Sequence, residues 1–393
     1  MKKTIISYIL NAALVLLSLC FSLVIVEISL PFLKIRTIEE AVYQVKRPVV
    51  QYIYGQYNPT LRYTLKTNLH NIRIHYSNQL DYTIDTNKYG FRGEDWDISP
   101  QRKNIIILGD SFAFGWGVQR KEMIGKHLEK ELKQLDPSYQ VINLAIPGYS
   151  INEIIACLEL YRNLLKPVAS VYIFCPNDLD GISEPIFPGI YDIEYKPRPD
   201  DEKLFQEMIE RNQPGYWSLN RFYRGSYCKA FHARVIRPLF SKRIRKSLSI
   251  DPAPDGYDFP PPIETANNCS DSPKAKFLAS CLKRLHGDLL SRNFYILNTS
   301  DKYTLFKYDQ PNSIRWSLKK ISLETPNMYF IDFETFARKT PGSRNYYLDY
   351  DDHWSAQGHA AAAGLLLEKM KSTLPNIANK TVQLSPTDLR PVQ

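Results

Sequence analysis

Five residues of this 393-residue chain stand where their types and spacing could do chemistry together. Ser111 follows the run Asn104-Ile105-Ile106-Ile107-Leu108-Gly109-Asp110. Gly148 follows a second apolar run and Asn177 a third, while Asp351 and His353 stand within Asp349-Tyr350-Asp351-Asp352-His353-Trp354. A serine hydroxyl becomes a nucleophile when an imidazole takes its proton and a carboxylate orients that imidazole. The backbone N–H groups of a serine and a glycine, with a carboxamide, can hold the negative oxygen that develops on a carbonyl under attack. Such a set performs acyl transfer. The elbow G-x-S-x-G is absent, which disfavours the α/β-hydrolase fold. Taken one at a time the residues have plainer uses. Ser111 could cap a helix after a strand, and Gly148 and Asn177 could serve a turn and a cap.

The elements around them decide whether they meet. Asn104 to Asp110 reads as a buried parallel strand, a short apolar run ending in Gly-Asp. Ile124, Leu128, Leu132 and Leu135 follow at helical spacing, Tyr139 to Ile146 is a second strand, and Ile154, Leu158, Tyr161 and Leu165 mark a second helix. Val168 to Cys175 is a third strand. This alternation predicts an α/β fold with a doubly wound parallel sheet. It stops near Leu179, where a stretch rich in Pro, Tyr and Arg reads as an insertion over about 179–272. It resumes with a helix through Leu278, Leu282, Leu285 and Leu289 and with strands Phe294–Leu297 and Met328–Phe333. Ser355 caps a last, Ala/Leu-rich helix. Ligands of open α/β sheets bind outside the carboxyl ends of the strands. Ser111, Gly148, Asn177 and the Asp/His cluster all fall there.

Four blocks in this order resemble the SGNH (GDSL) hydrolase family. The first is ILGDSFAFGWGV, residues 107–118, with Ser111; the second is NLAIPGYS, 143–150, with Gly148. The third is CPNDLD, 175–180, with Asn177, and the last is DDHWSAQGH, 351–359, with His353. The N-terminal segment, the stretch Asn87-Lys88-Tyr89-Gly90-Phe91-Arg92-Gly93 and the insertion resemble membrane-anchored members of bacterial envelopes. The resemblance implies a three-layer, flavodoxin-like parallel sheet, Ser111 as nucleophile, His353 as its base, and an oxyanion hole of Ser111, Gly148 and Asn177. No CxxC and no zinc spacing occur, so no metal and no cofactor are expected; Asp349, Asp351, His353 and His359 are the minor alternative as a metal site.

The chain departs from the family at the acid. The usual last block is Asp-x-x-His, but position 350 is Tyr; a D-x-H-W form matches Asp351. Asp349, Asp351 and Asp352 all lie within four residues of His353. Ahead of the Ser355 cap the chain is turning, so a side chain two residues back can fold toward the imidazole Nδ1, whereas the immediate neighbour points away. Asp351 is therefore the expected acid.

The balance of the chain is that of a globular protein, with 44% hydrophobic, 12% aromatic and 23% charged residues. Disorder over most of its length is excluded, and a mean hydropathy of −0.33 excludes a multi-spanning membrane protein. A net charge of +9 favours anionic surfaces, but no DNA or RNA module is present and no nucleic-acid partner is expected. From Thr4 to Val26 there is no charge, enough to span a bilayer core. Lys2 and Lys3 before it place the N-terminus in the cytoplasm, and no A-x-A cleavage site follows. A signal anchor is expected over 1–36, a β-rich lead-in over 37–103, the hydrolase-like domain over 104–372 and a tail over 373–393. Cys157 and Cys175 read as core; Cys228, Cys269 and Cys281 lie in or beside a polar segment that an oxidising compartment could crosslink.

The expected function is an extracytoplasmic, membrane-anchored serine esterase or O-acyltransferase whose partner is an ester substrate, an acylated glycan. The alternatives are a catalytically silent binding or assembly component on the same fold, and a lipid-directed lipase or thioesterase.

Overall fold

The computed structural model describes residues 2–76, 79–179, 201–213, 226–233, 273–287, 292–302, 305 and 314–374. The chain divides into two compact units, Met1–Arg47 with Pro214–Pro260, and Pro48–Gln213 with Pro261–Gln393.

The smaller unit begins with the helix Lys2–Ser29. The stretch Ile6–Leu33 is long and apolar enough to cross a membrane, with a mean hydropathy of 2.7 and none of its apolar window buried. A 3₁₀ turn, Leu30–Leu33, leads into a second helix, Arg36–Lys46. The lead-in expected to be β-rich therefore opens as helix. The cause is Ile38 and Val42, which stand one helical turn apart and bury one face with Leu30 and Ala230. Glu27 closes this unit. Its two carboxylate oxygens accept the backbone N–H groups of Tyr227 and Cys228, both at 2.8 Å. These begin the short helix Tyr227–Phe231, whose first N–H groups have no partner within the helix. Ser226 caps the same turn by accepting from Lys229 N at 3.1 Å.

The larger unit opens with two antiparallel hairpins, β1 (Gly55–Asn58) with β2 (Arg62–Leu65), and β3 (Ile72–Tyr76) with β4 (Leu80–Ile84). Five parallel strands follow: β5 (Lys103–Gly109), β6 (Tyr139–Asn143), β7 (Ala169–Phe174), β8 (Asn293–Asn298) and β9 (Met328–Asp332). Their order is β6-β5-β7-β8-β9 with every neighbouring pair parallel. This is the flavodoxin-like order 2-1-3-4-5, whose ligand crevice opens between its first and third strands. Ile105 to Leu108 of β5 are wholly buried. A strand covered on both faces needs an unbroken apolar run, and that is why the sequence there does not alternate.

Helices cover both faces. Ile124–Leu135 packs with the last helix, Ala356–Thr373; Ile151–Leu165 packs with Pro273–Gly287, which meets Ile314–Glu324. The helices Ile314–Glu324 and Phe333–Lys339 carry no expectation from the sequence, and within the stretch expected to be an irregular insertion Asp201–Asn212 is a helix. Cys281 is buried in the core face of Pro273–Gly287 and is a free thiol, so the crosslink expected of it is corrected to packing. Cys228 is also free. Cys269, Leu289, most of the insertion and the tail after Leu374 lie outside the described residues.

Candidate active site

Ser111 begins a single helical turn, Ser111–Phe114, directly after β5. The cap of that turn is its neighbour. Asp110 accepts from Phe112 N at 3.0 Å, which leaves the Ser111 hydroxyl available. The shorter of its two contacts is to His353: Oγ–H donates to Nε2 at 2.6 Å, against 3.3 Å to Asp110 Oδ2. With Nε2 accepting, the imidazole carries its proton on Nδ1 and donates it to Asp351 Oδ1. Ser111, His353 and Asp351 are joined in one line. Their hydrogen-bonding geometry is that of a serine nucleophile, its base and the acid that fixes the base's tautomer.

A tight loop holds His353. Leu348 N donates to His353 O at 2.9 Å, Tyr347 and Trp354 form an isolated antiparallel bridge, and Ser355 N donates to Tyr346 O at 2.8 Å. Trp354 is fully buried against Phe112 and Phe333. With one neighbour driven inward, His353 faces the end of the sheet, where its ring lies 4.9 Å from that of Phe112. Asp351 bends back beneath it, its Oδ1 also accepting from His353 N at 3.2 Å.

The other two acids behave differently. Asp349 is exposed, and its carbonyl accepts from Lys302 Nζ at 2.7 Å. Asp352 turns Oδ1 inward, where among the described residues it finds no hydrogen-bond partner. Burial, then the nearby Asp351 and Asp301, push its carboxyl up to about 7.

Asn177 lies on the turn Pro176–Leu179 after β7, the strand beside β5. Its Nδ2 donates one hydrogen to Asp110 Oδ2 at 2.7 Å. A carboxamide nitrogen has two, and Asn177 is exposed. Asp110, which the sequence reading left outside the site, caps the Ser111 turn and accepts from Asn177. Asp178 is structural, accepting from Tyr172 Oη at 2.7 Å and from Cys175 N at 3.1 Å.

Gly148 is the exposed member of the loop after β6. Its φ is +81°, and a Cβ there would stand 2.9 Å from Tyr63 Oη, so only glycine fits without strain. The β1–β2 hairpin braces this loop: Tyr63 Oη donates to Pro147 O at 2.9 Å, and Tyr149 Oη donates to Tyr63 O at 2.7 Å.

Arg92 braces the other side. Fully buried, it donates to the carbonyls of Gly115 at 2.6 Å, Thr83 and Val118 at 2.8 Å, and Phe114 at 3.2 Å. Burial draws it down to about 10, so it stays cationic at neutral pH. His359 is buried, accepts from Ile124 N at 3.3 Å through Nδ1, and is drawn down to about 3 by burial and by Arg92, which keeps it neutral. Among the described residues no three His, Cys, Asp or Glu side chains gather as metal ligands.

No family model matches the chain, and no curated protein matches it. Among solved structures it is similar to the lipase/acylhydrolase from Enterococcus faecalis, at 13% identity over 69% of this chain and 96% of that one, with a TM-score of 0.38. It is similar to the family 3 carbohydrate esterase from Clostridium thermocellum at 11% identity, covering 70% and 99%, with a TM-score of 0.37. For the acetyl xylan esterase AlAXEase the values are 14%, 68%, 98% and 0.34. At these values neither a residue's role nor a substrate carries across, and the fold assignment stands on the strand order.

Proposed function

We propose that the protein is a serine esterase or O-acyltransferase, held to a membrane by its N-terminal helix with the larger unit outside the cytoplasm. Its substrate is an ester of a cell-envelope carbohydrate, with O-acetyl the foremost group. The observation that carries this reading is the line from Ser111 Oγ to His353 Nε2, at 2.6 Å, and from His353 Nδ1 to Asp351. The envelope setting is supported by the apolar helix and by the resemblance of the blocks to membrane-anchored members of the family.

In this reading Ser111 Oγ attacks the ester carbonyl as His353 Nε2 takes its proton. The carbonyl oxygen becomes an oxyanion held by the N–H groups of Ser111 and Gly148 and by the second hydrogen of Asn177 Nδ2. Asp351 keeps the Nδ1 tautomer and stabilises the imidazolium. The C–O bond then breaks, the alcohol leaves with the proton from His353, and the acyl group remains on Ser111. Water, or a sugar hydroxyl in a transferase, gives its proton to His353 and takes the acyl group; the acyl–Oγ bond breaks and His353 returns that proton to Ser111 Oγ, which restores the serine.

The test uses the full chain in detergent, with short-chain esters and acetylated glycans as substrates. Ser111→Ala should lower kcat by roughly 10⁴–10⁶ while the protein stays folded. A wild-type protein that binds the glycan yet hydrolyses and transfers nothing would instead favour the silent binding component.

A further inference from the structure

We propose that Trp116 is the positioning residue for the acid of this site: its indole N–H fixes the second oxygen of Asp351 and so sets the carboxylate that orients His353. This rests on the reading of Ser111, His353 and Asp351 as a catalytic line. Trp116 Nε1 donates to Asp351 Oδ2 at 3.2 Å, while Oδ1 is taken by His353. Asp351 is 1% exposed and Trp116 4%. A carboxylate with donors on both oxygens cannot swing about its χ2 without breaking one of them, and that torsion is otherwise soft.

The loop that carries Trp116 is built for this contact. Arg92 holds the carbonyls on both sides of it, Gly115 and Val118, and its guanidinium lies 5.1 Å from the Phe114 ring centre and 5.2 Å from that of Tyr82. Gly117 lets the loop approach the histidine loop closely, since a Cβ there would come within 2.4 Å of Leu348 Cδ1. The indole also lies beside the imidazole, with ring centres 5.6 Å apart and planes at 33°. Trp116 thus ties the nucleophile's loop to the loop bearing base and acid, 235 residues away. Its N–H gives it a use that core packing alone would not require.

Trp116→Phe keeps an aromatic ring and removes the donor. A hydrogen bond to a charged group corresponds to about 10- to 100-fold in rate. The variant should lose about that much in kcat on a short-chain ester, with KM unchanged. Two measurements stand apart from turnover and use the full chain in detergent. With ¹⁵N-histidine labelling, the neutral His353 ring in Trp116→Phe should show a mixture of Nδ1–H and Nε2–H forms where the wild type shows Nδ1–H alone. With ¹⁵N-tryptophan labelling, the Trp116 Nε1–H resonance should move in Asp351→Asn, because a neutral amide oxygen accepts less strongly; this holds even if Trp116→Phe fails to fold. A wild-type tautomer in Trp116→Phe, with only a lower melting temperature, would overturn the proposal, as would an unmoved indole resonance. An active Ser111→Ala protein would instead overturn the reading of the site, while the two NMR results still decide the role of Trp116.

Discussion

The two units of the chain use side-chain hydrogen bonds in different ways. In the larger unit they run continuously from one side chain to the next: Asn177 to Asp110, Asp110 to Ser111, Ser111 to His353, His353 to Asp351, and Asp351 to Trp116. In the smaller unit, among the described residues, one carboxylate, Glu27, closes on two backbone N–H groups beside an apolar cluster built on Leu30, Ile38, Val42 and Ala230. A connected set transmits a change at one member to the reactivity of another. An isolated clamp transmits only stability. The difference separates substitutions that alter chemistry from those that alter only how firmly a segment is held.

The largest effect that would sharpen this contrast is at Asp351. Asp351→Asn should lower kcat by about 10⁴, because the amide supports the wrong tautomer of His353, while Asp349→Asn should stay near wild type. Steady-state kinetics on one short-chain ester decides it. Equal small losses in both would break the line at His353 and leave a dyad.

Asp352 tests the same loop through stability. In the fold its carboxyl is held at about 7, against 3.8 as its ordinary value. Between those values the folded state binds more protons than the unfolded one, so stability falls as pH rises from about 4 to about 7. Asp352→Asn removes that slope. The variant should match the wild type near pH 4 and melt a few degrees higher at pH 8. Parallel melting curves across that range would show that Asp352 ionises freely.

The smallest effect is expected at the clamp. Glu27→Gln should weaken two charge-assisted hydrogen bonds, costing the smaller unit about 1–3 kcal/mol, and leave kcat unchanged. Limited proteolysis around Tyr227 reads the loosening. A kcat loss like that of Asp351→Asn would erase the distinction between the two units.

The legibility of the chain in its sequence follows the same division. The parallel strands were readable because β5 and β7 are buried on both faces and carry largely apolar runs, followed by Asp110 and by Pro176-Asn177. The strand-end residues followed from that. The links between them did not, because Asn177 reaches Asp110 over 67 positions and Trp116 reaches Asp351 over 235. No local spacing encodes such pairings. Ser111 read as a possible cap because the cap position is uncertain by one residue in sequence, and the fold gives that task to Asp110. The helix Arg36–Lys46 has only a short signal, Ile38 and Val42 one turn apart, at the start of a stretch whose alternating residues further on form the hairpins.

The most direct test of the account is covalent. A serine-directed phosphonate should form one adduct with the full chain in detergent, and peptide mass spectrometry should place it on Ser111. Labelling should vanish in Ser111→Ala and slow greatly in His353→Ala, since the imidazole that takes the hydroxyl proton is gone. An adduct on another serine, or labelling at Ser111 that does not depend on His353, would contradict the account.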